Sequence, residues 1–185
     1  MIAAGLAIGT VAACSQGSPG SQVGHPQSPK PTENPSAHLP MTIKVTPPEG
    51  FAGNIVATAD WVIGNHSCAP KNPISGAYRE EPVHRAATIR REGPAYFLTA
   101  FTDQFVMDAC HWVFTGFSIH LYDEGRLVGV AGANDYVLKE NGGRLEILCA
   151  PDPHVPYCVY ARVAKKTFLR MSPNRKVFPI TIEGM

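Results

Sequence analysis

The sequence predicts an all-β fold: a two-sheet antiparallel β-sandwich of about eight or nine strands, stapled by disulfides and with little helix. The 185 residues include 17 glycines and 17 prolines. Such a high content of turn-forming residues is typical of short strands and turns rather than long helices. Short apolar runs lie between these breaks, and no segment keeps apolar residues at i, i+3, i+4 and i+7 for three turns. A closed barrel is the main alternative.

Nine runs after residue 40 have strand character, because they are rich in β-branched and aromatic residues and are bounded by turn residues. They are Thr42–Val45, Asn54–Ile63, Ala86–Glu92, Ala95–Thr102, His111–Tyr122, Arg126–Gly132, Arg144–Ala150, Tyr157–Ala164 and Lys176–Glu183. The stretch "YDEGRL" predicts a hairpin turn with Gly125 at positive φ, and "ENGGR" at 140–144 predicts a second turn of the same kind.

The longest run, His111–Tyr122, shows the alternation expected of a strand that is buried on one face. One face carries Val113, Thr115, Phe117, Ile119 and Leu121. The other face carries Phe114, Gly116, Ser118, His120 and Tyr122. We expect the first face to point into the core, which places Trp112 on the opposite face.

The first thirteen residues form an uncharged run that is too short to cross a bilayer as a helix, which takes about 20 residues. Its length matches the apolar part of an export signal. No Lys or Arg precedes it, which leaves the true start codon open. We therefore expect residues 1–13 to be a signal peptide.

The run ends in Val11-Ala12-Ala13-Cys14, which resembles the lipobox of bacterial lipoproteins. The resemblance implies cleavage before Cys14 and acylation of that residue, which anchors the chain in a membrane. Ser15 rather than Asp follows the cysteine, which in such lipoproteins favours the outer membrane, facing the periplasm. The alternatives are an ordinary secretory signal or an incidental Cys14.

Residues 14–40 are predicted to form a lipidated cysteine followed by a disordered tether rich in Pro, Ser and Gly. Such a segment has too little apolar surface to offset the entropy of ordering it. The folded domain is then residues 41–185, a single β-sandwich without internal repeats.

Four cysteines remain besides Cys14, an even number that suggests two disulfides in an exported chain. Three pairings are possible. We favour Cys149–Cys158, which closes a short proline-rich loop, and this leaves Cys68–Cys110.

The rival interpretation of these cysteines is a metal site, since His66, His111 and His154 lie close to them in the sequence. No zinc motif has their spacing, so we expect no metal and no cofactor.

The chain has 16 Lys and Arg residues and 15 Asp and Glu residues, which gives a net charge of +1. That balance argues against nucleic acid as a partner, because nucleic-acid binding needs a basic face.

No catalytic motif is present. Ser75 could form a triad with His84 or His111 and Asp103 or Asp108, but no nucleophile signature surrounds it. Glycoside hydrolysis needs two carboxylates that face each other across a cleft. The sequence brings no such pair together, since Glu80 and Glu81 are adjacent and Asp123 and Glu124 lie in a turn. We therefore predict a protein that is not an enzyme, with no catalytic residues.

The long loop at 65–83 and the segment "DQFVMDACHWVF" at 103–114 are the best candidates for binding a partner, because long ordered loops are usually functional. We predict that Cys110 pins this region and that Trp112 is a binding anchor. The alternative is that Trp112 packs beneath the long loop. The predicted partner-binding residues are Tyr78, Asp103, Asp108, His111 and Trp112.

In organisation the chain resembles the small periplasmic lipoproteins that act as immunity proteins, which block toxic effectors delivered by other cells. The resemblance implies a protein partner, a secreted antibacterial effector, and membrane attachment through the lipid. Two alternatives stay open: an assembly lipoprotein of an envelope machine, and an envelope hydrolase without a recognisable motif.

Overall fold

The computed structural model describes residues 28–72, 74–79, 81–151, 157–171 and 177–185. Within these residues the chain forms ten strands in two antiparallel sheets, which confirms the predicted sandwich. The predicted signal peptide, Cys14 and the first half of the predicted tether lie outside the described residues.

The strands are distributed unequally between the sheets. The six-stranded sheet has the order β4 (Thr88–Glu92), β5 (Ala95–Phe101), β1 (Pro40–Thr46), β10 (Phe178–Gly184), β8 (Arg144–Ala150) and β9 (Tyr157–Tyr160). The four-stranded sheet has the order β3 (Val83–Ala86), β2 (Asn54–Ile63), β6 (Trp112–Asp123) and β7 (Arg126–Ala133). The predicted strand 86–92 is thus divided, because the chain leaves the smaller sheet after β3 and joins the larger one as β4.

The core lies between the two sheets and follows the alternation of the strands. In β2 every second residue from Ile55 to Ile63 is buried, and Trp61 is among the largest of them. From the facing sheet Ile43 of β1 and Ile180 of β10 are also fully buried. Burying one such aliphatic side chain contributes roughly 1.5–3 kcal/mol, so this layer supplies most of the hydrophobic stabilisation.

A β-bulge in β6 changes which side chains face the core. Opposite β2, Trp61 pairs with Phe114 and Asp60 pairs with Gly116, so Thr115 is an extra residue. The predicted inward face is confirmed for Phe117, Ile119 and Leu121, which follow the bulge.

The prediction is wrong before the bulge. There Trp112 is buried and Val113 is exposed, the reverse of the predicted arrangement. One extra residue in a strand inverts the period-two alternation, so the faces exchange at that point.

The two predicted turns differ in outcome. Glu124 and Gly125 both have positive φ, 48° and 75°, and they close the β6–β7 hairpin as expected of a two-residue turn. The second turn does not close a hairpin. It follows a short helix, α1 (Asp135–Glu140), and the Gly143 N–H donates to the Leu138 carbonyl oxygen at 2.7 Å.

The predicted strand 157–164 is also shorter than expected. Strand β9 ends at Tyr160, and a helix, α2 (Ala161–Met171), follows immediately. Ala161 and Phe168 of α2 pack on Leu148 and Ala150 of β8 in a second apolar cluster. The helix therefore covers part of the outer face of the six-stranded sheet.

Both predicted disulfides are present, Cys149–Cys158 and Cys68–Cys110. The first joins neighbouring positions of β8 and β9. It lies against Gly129 of β7, where an added Cβ would stand 2.9 Å from the Cys158 Sγ. Only glycine leaves room there for the edge of the second sheet to approach this disulfide.

The folded part begins before residue 41. The Val106 N–H donates to the Thr32 carbonyl oxygen at 3.0 Å, and the Asn34 N–H donates to the Gln104 carbonyl oxygen at 2.8 Å. The segment 32–39, predicted as tether, therefore lies along residues 102–106 and is held there by backbone hydrogen bonds.

Candidate functional site

Two loops meet at the end of the sandwich where β2 ends and β6 begins. Their described residues are 64–72, 74–79 and 81–82 in the first loop and 102–111 in the second, and we call them together the loop end. The Cys68–Cys110 disulfide joins the two loops. Beside it, the Gly64 N–H donates to the His111 carbonyl oxygen at 2.7 Å. The loop end is therefore covalently tied to the sheet.

The first loop is ordered by its own polar side chains. Asn65 caps a short 3-10 helix: its Oδ1 accepts from the Ser67 N–H at 3.1 Å, and its Nδ2 donates to the Ala109 carbonyl oxygen at 2.8 Å. Asn72 Oδ1 accepts from the Ile74 and Ser75 N–H groups at 2.8 and 3.1 Å. These local bonds replace strand pairing and fix the shape of the loop.

Tyr78 stands on the exposed side of the first loop. The Lys71 ammonium lies 4.9 Å from the centre of its ring, and the His66 ring centre lies 5.9 Å away. A cation over an aromatic face is attracted by the ring quadrupole. Tyr78 is thus held in place while 45% of its surface remains exposed.

The second loop is anchored by an aromatic side chain. Phe105 is buried, with its ring centre 5.1 Å from that of Trp61 and 6.1 Å from that of Trp112. Trp112 is 7% exposed. The prediction that Trp112 is an exposed binding anchor is therefore wrong, and Trp112 instead supports the loop from the core.

Asp108 and Asp103 are engaged within the chain. The Asp108 carboxylate accepts the N–H groups of Cys110 and His111 at 2.8 and 3.2 Å, and the His111 backbone has a φ of +50°. The Asp103 carboxylate accepts the N–H groups of His38 and Leu39 at 3.1 and 3.0 Å. Both acids therefore shape the loop end, and His111 remains exposed on it.

The electrostatics of Asp103 and Glu33 favour their charged forms. Burial raises the pKa of Asp103, but the N–H groups of Leu39 and His38 outweigh it and hold the pKa below its ordinary value. Glu33 accepts a hydrogen bond from Gln104, which lowers its pKa, and burial opposes this effect. The Arg85 guanidinium adds to the lowering, with its Nη2 2.7 Å from Glu33 Oε1. The ionised carboxylates therefore hold segment 32–39 against the loop end.

The loop end displays large apolar side chains that the sequence prediction did not select. Ile74 is 96% exposed and Met107 is 80% exposed. Val113, turned outward by the bulge, is also exposed and lies beside Gly64. Tyr78 is a further exposed apolar side chain of this region, on the loop that the Cys68–Cys110 disulfide ties to the second loop. Exposed apolar surface of this kind marks interaction sites.

The side chains of the possible triad have other partners. Ser75 Oγ accepts from the Ala77 N–H at 3.3 Å. His84 Nδ1 lies 2.6 Å from Asp60 Oδ1, and Ser118 Oγ donates to Asp60 Oδ2 at 2.5 Å. The carboxylate thus lies between hydroxyl and imidazole, whereas a nucleophilic serine needs the imidazole beside its hydroxyl. Asp60, His84 and Ser118 lie on the outer face of the four-stranded sheet.

Two open grooves formed by described residues lie away from the loop end. The larger, of about 520 Å³, lies between α1, β8 and α2 and is lined by charges of both signs, including Arg144 and Glu146. The smaller, of about 220 Å³, lies at the opposite end of the sandwich near Phe51 and Asp123.

The thiol groups required for a metal site are used in disulfides, since Cys68, Cys110, Cys149 and Cys158 are all bridged. Among the described residues no three or more His, Cys, Asp or Glu side chains are grouped so as to hold a metal ion. His154 lies outside the described residues.

The part of the chain that the structure describes contains no helix of sufficient length and apolar character to span a membrane. Comparison of the chain with protein-family models, with curated proteins and with solved structures finds no match in any of the three.

Proposed function

We propose that this chain is a lipid-anchored protein of the bacterial envelope that binds a protein partner through the loop end. The observation that carries the proposal is the exposure of Ile74, Tyr78 and Met107 on two loops joined by the Cys68–Cys110 disulfide. Val113, at the start of β6, is exposed beside Gly64 of the first loop. A rigid surface loses little conformational entropy on binding, so less of the binding free energy from its apolar contacts is offset by the cost of ordering the loops.

The proposed partner is a toxic effector, and the proposed role is that of an immunity protein. An exposed loop end pinned by a disulfide suits contact with another protein better than it suits enclosing a small substrate, which needs a concave pocket. The exposed Lys71 beside Tyr78 adds a positive charge to this surface, and the exposed His111 adds a polar ring. The proposed lipid on Cys14 would keep the protein at the membrane surface where such an effector arrives.

An affinity capture tests the proposal. The oxidised chain from Ser15 onward, carrying a tag, is incubated with lysate of the source organism and of competing strains. We expect one stoichiometric partner with a hydrolytic activity that is lost in the complex. A subunit of an envelope machine would indicate the assembly role instead, and capture of no partner at all would count against protein binding.

A pair of variants tests the site. Ile74→Ser with Met107→Ser removes exposed apolar surface without touching the core and is expected to weaken binding by about tenfold or more. The control is Val56→Thr, which removes an exposed apolar group on the outer face of the four-stranded sheet, away from the loop end. Equal affinities of the two variants would contradict the assignment of the loop end.

A further inference from the structure

The outer face of α2 is a stripe of positive charge. Arg162, Lys165, Lys166 and Arg170 are all exposed. Their spacing of three, four and eight residues places them on one side of the helix. Leu169 lies on the same side and is 44% exposed. The opposite side, through Ala161 and Phe168, packs on the sheet.

These cations are not neutralised locally. Among the described residues no carboxylate forms an ion pair with any of the four, and the Arg162 Nη1 contacts only the amide oxygen of Asn141, at 3.4 Å. The sequence from residue 157 to 182 contains six Lys or Arg and no Asp or Glu. Since the whole chain has a net charge of +1, the rest of it is net negative. The positive charge is therefore concentrated in this part of the sequence.

We propose that this face of α2 binds an anionic lipid surface. Lysine and arginine clusters are attracted to acidic headgroups, and each residue near the surface raises binding about fivefold. An apolar side chain among the cations adds a contact with the acyl boundary, as in helices that lie in the membrane interface. Leu169 has this position.

A membrane explains the pattern better than an acidic protein does. The four cations are long, flexible side chains. Arg162 and Lys165 also line the groove that contains Glu140 and Glu146, but among the described residues neither cation forms an ion pair with these carboxylates. The proposed anchor at Cys14, on which this step rests, also brings the domain close to a bilayer. Because α2 lies on the outer face of the six-stranded sheet and the loop end lies at the strand ends, membrane contact leaves the loop end open to its partner.

Vesicle co-sedimentation tests the inference. The chain from Ser15 onward carries neither the acyl chain nor the apolar run of residues 1–13, so any binding comes from the protein surface. We expect it to sediment with phosphatidylcholine vesicles that contain phosphatidylglycerol and not with vesicles of phosphatidylcholine alone. Lys165→Gln with Lys166→Gln is expected to weaken binding by about 25-fold.

The matched control is Arg126→Gln with Lys139→Gln, which removes the same charge from exposed positions outside α2 and is expected to change binding by less than about twofold. Urea midpoints of both variants establish that each is folded. Absence of binding to the anionic vesicles, or equal losses in the two variants, overturns the inference. Capture of an acidic protein by α2 without vesicle binding overturns it as well.

The outcome is independent of the loop end. Ile74→Ser with Met107→Ser is expected to bind anionic vesicles like the parent chain. Loss of effector capture with intact vesicle binding, or the reverse, therefore shows which of the two proposals has failed.

Discussion

Replacing Gly116 by alanine is expected to destabilise the protein severely. Gly116 follows the extra residue of the β6 bulge and has a φ of +132°, a backbone region that L side chains rarely adopt. A Cβ added there would stand 2.3 Å from the Ala133 carbonyl oxygen and 2.9 Å from the Asn134 Cα. Both contacts are with backbone, so no side chain can rotate away to relieve them.

The magnitude follows from two terms. Backbone strain at such a φ costs of order 1–3 kcal/mol. Overpacking that forces a backbone shift costs about 1–3 kcal/mol more. The sum, about 4 kcal/mol, is a large fraction of the 5–15 kcal/mol that holds a typical domain folded.

Gly125→Ala is the matched control. Gly125 also has a positive φ, 75°, but an added Cβ there meets nothing within 4 Å. Its replacement costs only the left-handed backbone term, about 1–2 kcal/mol. The two variants together therefore separate strain from steric contact.

Urea unfolding of the oxidised protein measures both variants. Tryptophan fluorescence reports directly on this region, because Trp61 and Trp112 are buried next to the bulge. If Gly116→Ala costs no more than Gly125→Ala, the close approach of Ala133 does not exist in solution and the bulge is misplaced.

Two further predictions concern the loop end. Cys68→Ala with Cys110→Ala opens a loop of sequence separation 42 and is expected to cost about 4 kcal/mol in the chain-entropy model; an unchanged urea midpoint would count against that cost. Because the folded-state pKa of Asp103 lies below its ordinary value, its hold on segment 32–39 is complete above about pH 4 and is lost as the pH falls through that lower value. Hydrogen exchange of the Leu39 amide measures this loss. In Asp103→Asn the Leu39 amide should exchange faster at neutral pH, without a transition at low pH. An identical pH profile of exchange in both proteins would refute the role of the carboxylate.

Much of the fold was predictable because the relevant signals are local. The alternation in β2, the hairpin at Gly125 and the even number of cysteines each depend on a few neighbouring residues. The bulge was missed although a glycine inside a strand is its usual sign, and with it the positions of Trp112 and Val113 were exchanged. Helix α2 was missed because its buried side has few large apolar residues.

The candidate site was less predictable for a different reason. Tyr78 and His111 are exposed as a binding role requires, but whether Ile74 and Met107 point outward depends on how the loop folds back on itself. No sequence pattern encodes that. The binding of segment 32–39 by Asp103 could not be predicted from the sequence either, because its partners are backbone N–H groups, which every residue except proline carries.

The open edge of the larger sheet bears on how the protein behaves where many copies lie close together. Strand β4 has unpaired backbone groups on one side, and all five of its residues are exposed. Arg90, Arg91 and Glu92 follow one another along it, and charged residues at an edge disfavour pairing with a second chain. Crowded copies therefore resist joining edge to edge into a continuous sheet, and each one stays a separate unit.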